Sequence, residues 1–106
     1  MVAAALMQER VVIAPVILAE LFSGPNLDET LTHFLRALPR LDPTWGYWER
    51  CGRTRAFLKG LGYRPKLADA LIAQSCIDYK TPLLTRDKDF RAFAAHTPLT
   101  LEIQET

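Results

Sequence analysis

Three aspartates lie at the two ends of one apolar segment in the second half of the chain. In LADALIAQSCIDYKTPLLTRDKDF, residues 67–90, Asp69 stands near the start and Asp87 and Asp89 stand near the end. Carboxylates that converge in space can hold a divalent cation and so support phosphoryl chemistry. The same acids can also be the solvated ends of the segment, and an acid in the first turn of a helix is favoured by the helix dipole.

A fourth acid, Glu20, lies within the apolar helical pattern VILAELFSG, between Ala19 and Leu21. This is an unusual place for a charge that only contacts solvent. In open parallel α/β sheets, ligands bind beyond the carboxyl ends of the strands. Asp87 and Asp89 directly follow the apolar run PLLT, so they are expected at that edge of a sheet.

A basic segment precedes the acids. The chain has 13 Lys and Arg against 12 Asp and Glu, so its net charge alone does not indicate nucleic acid or a membrane surface as a partner. Six basic residues nevertheless follow one another without an acid: Arg50, Arg53, Arg55, Lys59, Arg64 and Lys66. A basic segment beside acids fits a phosphate-bearing substrate that is guided to a metal, although a solvated helix face has the same composition.

The elements that must position these residues alternate along the chain. Short extended segments are predicted at VVIAP, RLDPTW, TPLLT and LTLEI, and helices are predicted between them. Strands that alternate with helices indicate parallel strands joined by βαβ crossovers, so the predicted class is α/β. With 106 residues, the chain is expected to form one domain, residues 1–106.

Helix boundaries follow from capping residues. Asn26 is predicted to cap a helix with Glu29 three residues later, in the pattern of a capping box. The next helix is expected to end near Gly60 or Gly62, and Pro65 can open the one after it. Four residues of the former helix are predicted to share a face: Trp48, Cys51, Arg55 and Leu58.

Composition excludes several classes of protein. Hydrophobic residues make up 49% and charged residues 24%, which is typical of a globular domain. Cys51 and Cys76 have no CxxC spacing and are predicted to be buried thiols in a reducing compartment. The apolar runs are too short to span a bilayer, so no membrane partner is expected and the cytoplasm is the predicted location. His33 and His96 have no partner at metal-ligand spacing and are predicted to lie on helix surfaces.

Two stretches, VVIAPVILAELFSG and LADALIAQSCIDYKTPLLTRDKDF, resemble the PIN-domain ribonucleases, in particular the toxin subunit of bacterial VapBC toxin–antitoxin pairs. The resemblance runs from about residue 9 to the C-terminus. It rests on a Glu in an apolar helix after a VxxP strand, an Asp that opens a DALIA helix, and the motif LLTRDKDF, in the family's order and spacing. It implies a PIN-like three-layer α/β fold around a parallel sheet of about four short strands.

The resemblance also implies an activity. It indicates a metal-dependent endoribonuclease that acts on RNA through one or two Mg²⁺ or Mn²⁺ ions and that pairs with an antitoxin protein. Glu20 matches the family's helix glutamate, Asp69 the aspartate of the DALIA helix and Asp87 the first acid of a TxDxDF motif, so these three are predicted to be catalytic and metal-binding. Asp89 is a further predicted metal ligand, and Thr85 matches a small hydroxyl residue that lines the pocket. The basic segment is then the predicted contact for the RNA backbone.

The chain departs from the family pattern at its beginning. The family starts with a hydrophobic strand that ends in an aspartate, something like VDTS, and that lies in the middle of the sheet. No such segment is found here, so the first, central strand and its acid are expected to be missing. Loss of one carboxylate should weaken metal binding. Loss of the strand should expose sheet edges and favour pairing with another copy as a homo-oligomer, for example a dimer.

Three functions remain from different classes. The first is the Mg²⁺-dependent ribonuclease. The second is a catalytically impaired relative of such a nuclease, which acts as an oligomeric or antitoxin-binding protein. The third is another acid-cluster α/β domain such as a phosphoacceptor, but the expected acidic pair at an early strand and the later lysine are absent from the sequence. Metal binding by the acids discriminates the first function from the second.

Overall fold

The computed structural model of the protein describes residues 13–103. In chain order, the elements in that range are α1 Pro15–Phe22, α2 Glu29–Ala37, α3 Tyr47–Gly60, α4 Leu67–Asp78, β1 Leu83–Thr85, a 3-10 turn Lys88–Phe90, α5 Arg91–His96 and β2 Leu101–Ile103. Val11 and Val12 of the first predicted strand lie outside the described residues. The fold is α/β, rich in helix and with a small parallel sheet, as predicted.

The sheet of the described residues consists of β1 and β2, which pair in parallel with Leu83 opposite Leu101 and Thr85 opposite Ile103. The 3-10 turn and α5 form the crossover between the two strands. Parallel neighbours need such a crossover because a tight hairpin cannot return the chain in the same direction. The crossover starts at the carboxyl end of β1, where the acidic loop was expected.

The other two predicted strands are reduced to one bridge among the described residues. Ile13 pairs in parallel with Arg40, with the Ile13 N–H donating to the Pro39 carbonyl and the Leu41 N–H donating to the Ile13 carbonyl. Pro15 opens α1 two residues after Ile13, which ends the extended segment. Pro39 immediately precedes Arg40 and Pro43 follows three residues later, and proline provides no N–H for a strand ladder. Local sequence therefore limits this pairing.

The N-cap of α2 differs from the prediction. The helix begins at Glu29, and its cap is Asp28 rather than Asn26, because the Asp28 carboxylate accepts a hydrogen bond from the Leu31 N–H at 2.7 Å. A carboxylate at this position satisfies a free amide and also interacts favourably with the positive end of the helix dipole. The prediction of Asn26 as cap is therefore wrong by two residues.

The buried face of α3 contains Tyr47, Cys51 and Leu58, whereas Trp48 is 63% exposed. The tyrosine is preferred inside because its hydroxyl has polar partners. It donates to the Leu71 carbonyl at 2.6 Å and accepts from the Ser75 hydroxyl at 3.2 Å, which ties α3 to α4. Burial raises the pKa of Tyr47 to about 12, although the Ser75 hydrogen bond opposes that shift.

Helix α3 ends at a glycine, as predicted. Gly62 has a φ of +97°, in the left-handed region that favours glycine. Its N–H donates to the Lys59 carbonyl, and the Tyr63 N–H donates to the Leu58 carbonyl. These two bonds form a Schellman motif. The motif fixes the direction in which Tyr63 and the residues after it leave the helix.

Helix α4 contributes most to the core because α1 and α3 both pack against it. Its buried residues include Ala70, Ile72, Ala73 and Cys76, and they meet Leu58 of α3 and Leu83 of β1. Cys51 and Cys76 are free thiols and both are buried, as predicted. Burial raises the pKa of Cys76 to about 11. None of the helices in residues 13–103 has the length and apolar character needed to cross a bilayer.

Candidate metal centre

The loop after β1 is organised by its own side chains. The Asp87 N–H donates to the Thr85 hydroxyl at 3.0 Å, and the Asp89 N–H donates to Asp87 Oδ1 at 2.8 Å. The second bond makes Asp87 the cap of the 3-10 turn. Short hydroxyl and carboxylate side chains commonly bond to backbone amides two residues later, and so fix a loop locally. Thr85 thus positions Asp87, and Asp87 positions Asp89.

Asp69 reaches this loop from another element. It lies in the first turn of α4, which begins at Leu67, and α4 leads through a short turn into β1. One carboxylate oxygen from each of Asp69, Asp87 and Asp89 lies within 4.8 Å of the other two. The acids at the two ends of the apolar segment do meet in space. Asp69 is half-buried and the other two are exposed.

The cluster is electrostatically strained without a cation. The pKa of the Asp69 carboxyl is raised, mainly because it is partly buried and next because of the nearby Asp87 charge, with smaller contributions from Asp89 and Glu20. Lys66, which immediately precedes α4, opposes this shift. A dianionic or trianionic cluster favours protonation or a bound cation, since both reduce the repulsion between like charges.

The donor set fits Mg²⁺ or Mn²⁺. All three candidate ligands are carboxylates, and hard divalent cations prefer oxygen ligands. Mg²⁺ binds oxygen at about 2.1 Å, so two ligands on opposite sides of the ion are about 4.2 Å apart. At most one pair of three octahedral ligands lies opposite across the ion, and adjacent ligands are about 3.0 Å apart, so oxygens within 4.8 Å of one another must approach by up to about 2 Å to share one ion. Rotation of the exposed Asp87 and Asp89 side chains can bring the oxygens closer.

Glu20 lies outside this group. In the part of the chain that the structure describes, the cluster comprises Asp69, Asp87 and Asp89, and Glu20 is exposed on α1. Its charge still contributes to raising the pKa of Asp69, which places it on the same side of the molecule. Helix α1 packs against α4, and this contact accounts for the proximity.

A cavity of about 210 Å³ adjoins the acids. It is lined by Asp69 and Asp89 and by four residues of the segment between α3 and α4, namely Tyr63, Arg64, Pro65 and Lys66. Arg64 and Lys66 of the predicted RNA-binding set therefore stand beside the acids. Sequence reasoning did not identify Tyr63, although its position directly after the helix-ending Gly62 marks it as a residue with a fixed direction.

The remaining basic residues have other surroundings. Arg50 forms an ion pair with Asp78 at 2.7 Å and also donates to the Trp45 carbonyl and the Thr44 hydroxyl. Arg55 donates from Nε to the Pro65 carbonyl at 3.0 Å, which holds the segment after α3 in place. Arg53 and Lys59 are exposed on α3. The structure thus divides the basic segment into residues that brace the fold and residues that face solvent.

Comparisons with known proteins agree on one family. The model of the PIN domain family matches residues 1–96. A crystal structure of VapBC-5 from Mycobacterium tuberculosis, described as a member of the VapBC family of toxin-antitoxin systems, shares 22% identity and a TM-score of 0.70, covering 89% of this chain and 82% of that chain. VapBC2 from Rickettsia felis, bound to a DNA fragment from their promoter, shares 25% identity and a TM-score of 0.68, covering 89% of this chain and 74% of that chain. The search of curated proteins gave no match. The family match covers most of the chain, and the protein belongs to the PIN domain family.

Proposed function

We propose that this protein is a metal-dependent endoribonuclease, the toxin of a toxin–antitoxin pair, that cleaves RNA phosphodiesters at Mg²⁺ or Mn²⁺. One observation carries the proposal: carboxylate oxygens of Asp69, Asp87 and Asp89 converge within 4.8 Å. Membership of the PIN domain family supports nuclease activity. Because PIN nucleases in general depend on a metal, it also supports a metal ion at the acids.

The residues of the site have distinct roles in this proposal. Asp69, Asp87 and Asp89 hold the ion, and Thr85 keeps Asp87 in place through its backbone amide. When bound, the ion supplies an activated water and neutralises charge on the phosphoryl oxygens. Arg64 and Lys66 line the adjoining cavity and are suited to bind the phosphates that flank the cut. Glu20 lies nearby and adds negative charge to the site.

An antitoxin protein is the proposed partner. Support comes from the two similar structures, both of which are VapBC proteins. Apolar side chains suited to a protein contact are exposed on α1 and α2, namely Leu21, Leu31 and Phe34, each at least 40% exposed. A homodimer and a cytoplasmic location complete the proposal. Light scattering at micromolar concentration tests the dimer, and a monomer would contradict it.

Calorimetric titration with Mn²⁺ tests the metal site. We expect micromolar binding by the wild-type protein and none by an Asp69→Asn, Asp87→Asn double variant. Asp42→Asn is the matched control because Asp42 is exposed and lies outside the cluster. If the control loses binding as well, or if the wild-type protein fails to bind, the proposed centre is wrong.

Cleavage of a labelled single-stranded RNA tests the activity. Products that require Mn²⁺ or Mg²⁺ and that the double variant does not form would support the nuclease. Metal binding without cleavage would instead favour the second function, a catalytically impaired protein that acts through its partner or as an oligomer. Measuring both properties on the same preparation therefore separates the two functions.

A further inference from the structure

A second cavity of about 320 Å³ lies between α3, α4 and the end of α5. Its rim includes Arg53 and Phe57 of α3 and His96 at the end of α5. Among the described residues, its lining contains two arginines and a histidine and has no carboxylate. This composition differs from that of the first cavity, in which basic and acidic side chains face each other.

Arg53 is the cation of this cavity that is available to a ligand. Arg50 also lines the cavity, but its guanidinium is already bonded to Asp78, Trp45 and Thr44. Arg53 is exposed and forms no ion pair or hydrogen bond with any residue between 13 and 103. The cavity therefore presents a positive charge that the protein does not neutralise.

The polar side chains that line this cavity, Thr54 and Gln74, already have hydrogen-bond partners within the protein. The Thr54 hydroxyl donates to Gln74 Oε1 at 2.6 Å, and Gln74 Nε2 donates to Asp78 Oδ1 at 2.8 Å. Because these polar groups bond to one another, they offer little to a ligand that requires deep hydrogen bonds. The apolar and cationic rim is left as the recognition surface.

Aromatic rings line the way from one cavity to the other. The Tyr63 hydroxyl is hydrogen-bonded to His96 Nε2 at 3.0 Å, and the two ring centroids are 5.3 Å apart with the planes tilted by 51°. Tyr63 is 40% exposed and Phe57 is 53% exposed. Exposed rings beside a positive charge are the usual surface on which successive bases of a single strand stack.

The hydrogen-bonded pair of Tyr63 and His96 joins the lining of one cavity to the lining of the other. Tyr63 lines the cavity beside Asp69 and Asp89, and His96 lines the second cavity. A strand that places a phosphate at the carboxylates can therefore pass over this pair and bring a later phosphate toward Arg53. Such a path follows α3, whose Schellman end holds Tyr63 in position.

We propose that the second cavity is a binding subsite for the part of a single-stranded RNA that flanks the cut, with bases stacked on Tyr63 and Phe57 and a phosphate bound by Arg53. This inference rests on the proposed function and adds to it a subsite, distinct from the cavity beside the acids, for the strand that extends beyond the cleaved bond. A duplex does not fit, because its bases are already stacked on one another and cannot lie on these rings.

The charge of the subsite is tested by fluorescence anisotropy with a labelled, unstructured single-stranded RNA. The measurement uses the Asp69→Asn, Asp87→Asn protein in EDTA, so that neither cleavage nor metal contributes. Arg53→Gln should weaken binding and reduce the slope of log affinity against log salt by about 0.7, the value for one phosphate contact to a single strand. Arg36→Gln is the matched control, since Arg36 is an exposed arginine of α2 outside both cavities.

Stacking is tested with a pair of variants at one position. Tyr63→Ala should weaken binding by about 5- to 100-fold, the range for loss of one stacked base. Tyr63→Phe keeps the ring and loses only the hydroxyl, so it should remain within about threefold of the parent protein. Thermal melts of each variant check that the fold is intact.

Three results would overturn the subsite. These are equal effects of Arg53→Gln and Arg36→Gln, equal effects of Tyr63→Ala and Tyr63→Phe, or equally tight binding of double-stranded RNA. Unchanged RNA affinity in all variants would also contradict the proposal, and the second cavity would then be a candidate binding site for a segment of a partner protein. Mn²⁺ binding and cleavage are measured separately on the same substitutions in the active protein, so a failure of the subsite is distinguishable from a failure of the nuclease.

Discussion

Asp78 near the end of α4 accepts hydrogen bonds from Arg50 of α3, from Nη2 at 2.7 Å and from Nε at 3.1 Å. The Asp78 side chain is only 11% exposed, and Gln74 provides its other bond. Although Arg50 belongs to the basic segment that was predicted to contact RNA, its guanidinium here joins two core helices. It is therefore absent from the proposed RNA contacts.

Replacing Arg50 should lower stability more than RNA affinity. Arg50→Ala leaves a largely buried carboxylate with one partner, and an unpaired buried acid is costly. We expect the melting temperature to fall by about 5 °C. Arg50→Lys should recover only part of the lost melting temperature because an ammonium group cannot form the bidentate contact with the Asp78 carboxylate. A melting temperature within about 1 °C of wild type for Arg50→Ala would contradict the structural role.

Thr85 is expected to act on metal binding through Asp87. Thr85→Val keeps the shape and the preference for a strand but removes the acceptor for the Asp87 N–H. We expect Mn²⁺ affinity to fall about tenfold by calorimetry, as is typical when a group that orients a ligand is lost. Thr85→Ser retains the hydroxyl and should stay within about threefold. Equal affinities for Val and Ser would show that the hydroxyl does not position the loop.

Glu20 should influence the ion less than the three clustered aspartates do. Because it lies outside the cluster, its interaction with a bound cation passes largely through solvent and amounts to roughly 0.5–1 kcal/mol. Glu20→Gln should then weaken Mn²⁺ binding by about two- to fivefold. Asp69→Asn is the comparison and should abolish detectable binding. Equal losses for the two variants would make Glu20 a direct ligand, as the sequence resemblance implies.

Asp69 makes the metal-free protein less stable at neutral pH. Its pKa is raised in the folded state, so the folded protein binds more protons than the unfolded chain between the ordinary pKa of aspartate and the raised one. The free energy of unfolding therefore decreases as pH rises through that window and stays lower above it. In EDTA at pH 7.5, Asp69→Asn should be more stable than wild type by of order 0.5 kcal/mol, allowing for solvent screening.

The same comparison at acidic pH provides the control. When the pH falls below the ordinary pKa of aspartate, both proteins are neutral at this position and the difference should disappear. Thermal melts in EDTA from pH 3.5 to 7.5 measure it. A stability difference that is independent of pH would assign the effect to packing rather than to charge.

The two cysteines should be unreactive in the folded protein. Cys51 and Cys76 are 2% and 5% exposed, and burial raises the pKa of both thiols, that of Cys76 to about 11. At pH 8 a thiol with that pKa is ionised to about 0.1%, so Cys76 should react with a disulfide reagent at least 100-fold more slowly than a free cysteine. Labelling in urea should restore normal rates. Rapid labelling without denaturant would show that the helices open readily.

Sequence patterns were sufficient for the elements with strong local signals. The apolar run before Asp87, the glycine that ends α3 and the strand–helix–strand order of residues 83–103 were predicted correctly, because each depends on neighbouring residues, whereas the two earlier predicted strands are reduced to one bridge. The cap of α2 was misplaced because Asn26 and Asp28 are both good caps. Only the structure shows which of the two meets the free amide of Leu31.

Long-range pairings could not be predicted in the same way. The bond from Arg50 to Asp78 and the choice of Tyr47 over Trp48 as the buried ring depend on how α3 lies against α4. The pairing of Tyr63 with His96 joins residues from two elements and has no local signature. A single sequence identified the acids through a family resemblance, but the surroundings of the basic residues required the fold.

The candidate metal centre is divided between two segments, the first turn of α4 and the loop after β1. Any local opening that separates these segments destroys the binding site, whereas fraying of α2 leaves it intact. A bound ion therefore suppresses only the first kind of opening. Amide hydrogen exchange at Asp87 and Asp89 should slow by up to about 100-fold when the ion is present at 100 times its Kd, while the amides of α2 exchange as before. The metal would then determine which parts of the molecule unfold together.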